Sequence, residues 1–117
     1  MNRVVPHTIH AAVEVLGGAI VMAAPFVLDL GRPATFLSVV LGAIAVGAAL
    51  EIGGPARRVP LAAHAAFDYV IAAAAIVAGV AIGTVTGEWR ATVFLVGVGA
   101  AQVALTASTR WSVPAGT

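Results

Sequence analysis

The 117-residue chain contains no cysteine and no lysine, and only 9% of its residues are charged. The absence of cysteine excludes a disulfide, a thiolate metal site and thiol chemistry. The six arginines form no basic run of the kind that nucleic acid or anionic lipid would require, so we expect no nucleic-acid partner. With 61% hydrophobic residues and a mean hydropathy of +1.04, the chain also has too few polar groups to cover a water-soluble globule of this size.

Long apolar stretches take the place of a polar surface. A transmembrane helix needs about 20 mainly apolar residues. Four such stretches cover residues 9–30, 34–52, 61–84 and 91–107, and glycine, proline and charged residues separate them. The sequence therefore predicts an all-α membrane protein with four transmembrane helices in a single transmembrane domain, residues 1–117, whose first partner is the lipid bilayer.

Arginine predicts the orientation of these helices. The N-terminal segment, the middle loop and the C-terminal segment carry Arg3, Arg57, Arg58 and Arg110, whereas the other two loops carry Arg32 and Arg90. Cytoplasmic loops of membrane proteins carry an excess of basic residues. We therefore expect a multi-pass protein of the bacterial inner membrane with both termini in the cytoplasm.

One motif occurs twice. The pattern V-P-x-x-x-H-A-A-x-[E/D] covers residues 5–14 and returns at residues 59–68, and matches such as Gly42 with Gly99 continue it downstream. Each unit then contains two spans, with repeat one at residues 5–52 and repeat two at residues 59–109. Because two is an even number, both units enter the membrane from the same side. We predict two parallel helical-hairpin repeats related by a pseudo-twofold axis along the membrane normal.

The duplicated motif carries ionisable residues that lie within the first and third spans. His10 stacks over Glu14 and His64 over Asp68, since residues four apart share a helix face. An ionised group at the bilayer centre costs about 2.5–3.5 kcal/mol on insertion scales, so these side chains should face inward and meet. Three interpretations stay open: a polar network that fixes how the hairpins pair, a proton or cation relay, and a metal or haem site. The first is our prediction, and we assign no metal and no cofactor, because H-x-x-x-[E/D] is a common spacing.

Other polar and aromatic residues have simpler expectations. Trp89 and Trp111 fall at opposite ends of the spans, where tryptophan is typical of an interfacial anchor. Glu51 ends the second span and should pair with Arg57 or Arg58. Gln102 lies deep in the fourth span, and we expect it to bond a helix backbone or a neighbouring helix.

The order of these features resembles the SPW-repeat family of small bacterial membrane proteins. In that family a hairpin unit opens with a histidine, has an acid four residues later, and reaches a Ser-Pro-Trp-like motif near the far end of its first helix. The first unit follows this pattern with Val5-Pro6, His10, Glu14 and the segment A-P-F-V-L at residues 24–28. The second unit follows it with the segments E-I-G at 51–53 and R-V-P at 58–60, and then with His64, Asp68 and Tyr69. The second unit departs from it with A-G-V at residues 78–80. The resemblance implies a four-helix integral membrane protein and no particular reaction, ligand or transported species.

The sequence offers no nucleophile constellation and no glycine-rich phosphate loop, so we expect no enzyme and no catalytic residues. We predict a structural or accessory subunit, or an oligomerising one, whose protein partner is a second copy or another membrane subunit. The alternative is proton or cation conduction through an oligomer lined by the carboxylates of Glu14 and Asp68.

Overall fold

A computed structural model describes residues 3–112 of the chain. Within this range the helices are α1 (His7–Val27), α2 (Arg32–Gly53), α3 (Leu61–Thr86) and α4 (Trp89–Ala107), and two short strands, β1 (Val5–Pro6) and β2 (Thr109–Arg110), flank them. Each helix is long and apolar enough to cross a membrane. The predicted all-α fold with four candidate spans is therefore confirmed.

Proline and left-handed residues set the helix boundaries. Pro6 and Pro60 immediately precede α1 and α3 in extended conformations, where the missing N–H removes no helix hydrogen bond. The sequence predicted that the first span would reach residue 30, but α1 ends at Val27. The reason is Asp29, which adopts a left-handed conformation (φ 53°) that a right-handed helix does not continue. Gly87 ends α3 in the same way, with φ 76°.

The helices pack as two hairpins, α1 with α2 and α3 with α4, and packing between the hairpins is much sparser. Small residues let the backbones of each hairpin touch. A Cβ atom added to Gly42 would lie 2.6 Å from the carbonyl oxygen of Gly18 on α1, and one added to Gly99 would lie 2.7 Å from that of Ala72 on α3. Neither glycine has room for a side chain without a shift of the helices.

The two interhelical turns at one end of the bundle are tied to each other. The carboxylate of Glu88 accepts the backbone N–H of Gly31 at 2.8 Å and 3.1 Å. The guanidinium of Arg90 donates to the carbonyl oxygens of Leu28, at 2.7 Å, and Asp29, at 3.2 Å. These bonds connect the hairpins at the end remote from the termini.

At the opposite end, β1 pairs in parallel with β2, with Val5 beside Thr109. This pairing brings the segment that follows α4 over the start of α1. The buried apolar residues at this end are contributed by α1, α2 and α3, and they are Ala11, Ala49, Ile52 and Leu61. The first turns of α1 and α3 therefore lie side by side beneath the C-terminal segment, and this arrangement positions the candidate site.

Candidate functional site: a buried histidine–carboxylate cluster

Four side chains from the first turns of α1 and α3 converge on one point. They are His10, Glu14, His64 and Asp68, which we call the His/carboxylate cluster, and one ligand-type atom from each lies within 4.8 Å of the others. None of the four residues is more than 4% exposed. The structure thus brings together all four residues that the duplicated motif singled out.

Contacts within the cluster run both along and between the helices. His10 Nε2 lies 2.9 Å from Asp68 Oδ2 on α3 and 3.2 Å from Glu14 Oε2 on its own helix. His64 Nε2 lies 3.1 Å from Asp68 Oδ2 on its own helix and 3.2 Å from Glu14 Oε1 on α1. Each carboxylate therefore contacts the histidine of its own helix and the histidine of the opposite helix.

A hydroxyl from the C-terminal segment orients the His10 ring. Thr109 Oγ1 donates its only proton to the carbonyl oxygen of Leu105, at 2.6 Å. Its 2.9 Å contact with His10 Nδ1 is therefore one in which Nδ1–H donates to the hydroxyl. This bond assigns a proton to Nδ1 and turns Nε2 toward the two carboxylates.

Helix α4 completes the surroundings of the carboxylates. The amide of Gln102 donates to Glu14 Oε2 at 2.9 Å and to Thr106 Oγ1 at 3.0 Å. The hydroxyl of Thr106 in turn contacts Asp68 Oδ2 at 3.4 Å. Gln102 therefore bonds a neighbouring helix, one of the two expected outcomes, and it links α4 to the cluster.

Trp111 covers the cluster from the side of the chain termini. Its indole lies with ring centroids 4.6 Å from the His10 ring and 5.5 Å from the His64 ring, and its Nε1–H donates to the carbonyl oxygen of Thr106. The ring of Trp111 therefore packs on the two imidazoles, and its role as an interfacial anchor stays a prediction. Trp89 lies at the other end of the bundle and is exposed, so its role as an anchor stays a prediction.

Two atoms at the centre of the cluster have no aligned partner. Among residues 3–112, neither His64 Nε2 nor Glu14 Oε1 makes a hydrogen bond, although the two atoms are 3.2 Å apart. The distances from His64 Nε2 to the carboxylates are short, but neither contact has the geometry of a hydrogen bond. Buried polar atoms are rarely left in this state. The cluster is therefore a polar network with an unsatisfied centre.

A cavity of about 280 Å³ lies beside the cluster, between the hairpins. Residues from all four helices line it, and apart from Glu14 and Gln102 they are apolar or glycine. Apart from Glu14 and Gln102, the lining therefore offers water no hydrogen-bonding side chain.

Glu51 and Ser38 lie away from the cluster. The carboxylate of Glu51 accepts the backbone N–H groups of Arg58 and Val59. Among the described residues it forms no ion pair with an arginine, so the expected pairing with Arg57 or Arg58 side chains is replaced by a cap on the loop backbone. Ser38 is buried in α2, and its hydroxyl makes no hydrogen bond within residues 3–112.

Sequence reasoning missed Thr106 and Thr109 as parts of the site. Thr106 lies four residues after Gln102, on the same face of α4, whereas Thr109 lies beyond the helix in β2. A polar stripe at this spacing, at the end of an otherwise apolar span, was the signal available. Comparisons of the chain with protein-family models, with curated proteins and with solved structures found no match.

Proposed function

We propose that this chain is a non-enzymatic, integral protein of the bacterial inner membrane in which the His/carboxylate cluster joins two helical hairpins. The observation that carries the proposal is the hydrogen bond between His10 and Asp68, next to which His64 lies 3.2 Å from Glu14. In the cell, the joined bundle acts as a structural or accessory subunit whose partner is a second copy or another membrane protein. Both termini face the cytoplasm, in keeping with the four arginines of the terminal segments and middle loop.

The sparse packing between the hairpins supports this role for the cluster. Within each hairpin, glycine contacts hold the backbones together along the helices. Between hairpins, polar bonds are concentrated at the two ends: the Glu88 and Arg90 bonds at one end and the cluster at the other. In a bilayer, where apolar burial does not drive helix association, such interhelical bonds determine which faces meet.

Equivalent contacts in the two hairpins support the parallel-repeat architecture. Gly42 packs on Gly18 and Met22, and Gly99 packs on Ala72 and Ile76. Both partners of Gly99 are 54 positions after those of Gly42, the same offset as from His10 to His64. A duplication of one hairpin accounts for this agreement and predicts that the two histidines lie at equal depth.

The alternative, conduction of protons or cations, has less support. The cavity next to Glu14 extends into an apolar lining, whereas a conduction path needs a succession of polar groups or water. Equal flux across liposomes for the wild type and a Glu14→Gln/Asp68→Asn variant would remove this alternative.

The proposal is tested by the distance between the hairpins. Because the chain has no cysteine, spin labels can be attached at Ile9→Cys on α1 and Val70→Cys on α3, two exposed positions near the cluster. We expect one narrow distance distribution in the otherwise unchanged protein and a broader one when Asp68→Ala is added. Ser38→Ala, which removes a buried hydroxyl that bonds neither hairpin to the other, is the matched control and should leave the distribution narrow. A distribution that Asp68→Ala leaves unchanged would refute the role of the cluster as the tie.

A further inference from the structure

We propose that the His/carboxylate cluster binds one divalent transition-metal ion, of which Zn²⁺ is the best fit, through His10 Nε2, His64 Nε2 and one oxygen each of Glu14 and Asp68. This inference goes beyond the structural function and replaces the sequence-based expectation that no metal is bound. It rests on the donor set, on the distances, on the unpartnered atoms and on the charge of the site.

The donor set selects the class of ion. Two imidazole nitrogens and two carboxylate oxygens match the ligands of Zn²⁺ and related first-row divalent ions. The absence of sulfur ligands disfavours Cu⁺, because the described residues include no cysteine and the cluster no methionine. Mg²⁺ and Ca²⁺ require six or more oxygen ligands, and the cluster has only two carboxylates.

The distances fit a four-coordinate ion. With bonds of about 2.0–2.1 Å, the ligand atoms of a tetrahedral ion lie about 3.3 Å from one another. The nitrogen–oxygen contacts are close to this value, at 2.9 and 3.1 Å to Asp68 Oδ2 and at 3.2 Å to each of the two oxygens of Glu14. The four ligand-type atoms lie within 4.8 Å of one another, so the most widely spaced of them must approach by up to about 1.5 Å to reach the tetrahedral spacing.

The unpartnered atoms point to a ligand rather than to a completed network. His64 is only 3% exposed, yet its Nε2 makes no hydrogen bond with residues 3–112, and the same holds for Glu14 Oε1. A proton on His64 Nε2 can satisfy one aligned acceptor, whereas a metal ion takes the lone pairs of the nitrogen and of both carboxylates together. The ion therefore satisfies the atoms that hydrogen bonds leave unsatisfied.

The surroundings of His10 are those of a metal ligand. A histidine that binds metal through one nitrogen typically donates the other N–H to an oxygen that fixes the ring. Thr109 Oγ1 accepts Nδ1–H of His10 in this way, which leaves Nε2 free to face the ion. Gln102 holds the Glu14 carboxylate by the same principle.

The charge of the site also favours a divalent ion. Two ionised carboxylates buried beside neutral imidazoles carry a charge of −2, which a protein interior does not tolerate without compensation. One M²⁺ ion with two neutral imidazoles gives a neutral site. Two imidazolium rings give the same total, so metal and protons compete for one set of atoms.

Metal binding is tested on the full-length protein in detergent after treatment with a chelator. Equilibrium dialysis against Zn²⁺ should give one ion per chain. Co²⁺ should give the intense visible bands of a four-coordinate ion. In a Trp89→Phe variant, Co²⁺ should also quench the emission of Trp111, the indole that lies against both imidazoles. These three readouts report stoichiometry, geometry and location.

Matched variants separate the cluster from adventitious binding. Glu14→Gln with Asp68→Asn, which we call the amide variant, keeps the side-chain shapes and should lose Zn²⁺ binding. Thr109→Val keeps all four ligands and should weaken Zn²⁺ affinity about 10- to 100-fold by releasing the His10 ring. His7→Ala, at the same end of α1 but outside the cluster, should leave the affinity unchanged.

Two results would overturn the assignment. One is the absence of bound Zn²⁺ in a wild-type protein that still shows the narrow spin-label distribution, which refutes the metal site and leaves the hairpin tie standing. The other is undiminished Zn²⁺ binding by both the amide variant and Thr109→Val, which locates the ion elsewhere. If the amide variant fails to fold, Thr109→Val and the Trp111 quenching decide the question.

Discussion

Removal of one carboxylate from the cluster should destabilise the protein far more than removal of an ordinary interhelical hydrogen bond. The variant is Asp68→Ala in the metal-free protein. Asp68 Oδ2 lies 2.9 Å from His10 Nε2, 3.1 Å from His64 Nε2 and 3.4 Å from Thr106 Oγ1. Its loss therefore affects three neighbours at once and leaves Glu14 as the one carboxylate facing two imidazoles.

The expected cost follows from a comparison of two magnitudes. An interhelical hydrogen bond in a membrane protein contributes about 0.6 kcal/mol on average and about 1.7 kcal/mol at most. Removing one partner of a buried ion pair costs about 3–5 kcal/mol, because the other charge stays buried and unpaired. The Asp68 side chain is 5% exposed, so the second value applies. We expect Asp68→Ala to lower the free energy of unfolding by about 3–5 kcal/mol.

Replacing all four cluster residues by leucine provides the critical comparison. An apolar replacement of a complete buried ionic cluster is often neutral or stabilising, since the burial of charge is removed along with the pairing. The quadruple variant should therefore cost less than Asp68→Ala alone, although it removes more polar contacts.

Both variants are measured by reversible unfolding in mixed micelles, with helix content followed by circular dichroism. Thr84→Val is the control, because the Thr84 hydroxyl is exposed and bonds only carbonyl oxygens of its own helix. An Asp68→Ala cost no larger than that of Thr84→Val, or a quadruple variant that costs as much as four separate losses, would contradict the reasoning.

Three further outcomes are expected from the same structure. Gly99→Ala should lower the free energy of unfolding by about 1–3 kcal/mol through overpacking, since its Cβ would lie 2.7 Å from the carbonyl oxygen of Ala72. Gly97→Ala, with no atom within 4 Å of the added carbon, should be neutral or stabilise the helix by up to about 1 kcal/mol. Unfolding titrations of the two variants test this difference. Arg90→Ala should lower stability by about 0.5–1.5 kcal/mol through the lost bonds to the facing turn, and Arg32→Ala, measured in the same assay, should not. Zn²⁺ at 100 times its dissociation constant should raise the free energy of unfolding by about 2.7 kcal/mol in the wild type and leave that of the amide variant unchanged.

Hydropathy predicts the helices of this chain well because a membrane span is defined by its length and composition. The errors are at the ends. The start of α1 at His7 and its end at Val27 depend on Pro6 and on the left-handed Asp29. A hydropathy average over a window of residues does not detect the effect of either residue on the helix ends.

The four cluster residues were predictable because the sequence repeats them at one spacing within apolar spans, where an ionisable group needs a partner. The contribution of Thr109 and Trp111 was not. Both follow the last span, and they reach the histidines only because β1 pairs with β2 across more than 100 positions of sequence. Long-range pairing of two-residue strands leaves no periodic pattern in a sequence. The cap of the site is therefore a tertiary feature.

The position of the cluster along the helices limits what the site can do. At 1.5 Å per residue, His10 lies about 5 Å and Glu14 about 10 Å from the start of α1, a helix about 30 Å long. Within residues 3–112, the Trp111 ring covers the two histidines on the side of the chain termini. To leave on the other side an ion must cross about 20 Å of the bundle, where the cavity lining beyond Glu14 and Gln102 is apolar. Because this lining offers no further polar group among the described residues, the asymmetry favours the proposed metal site over the alternative of conduction.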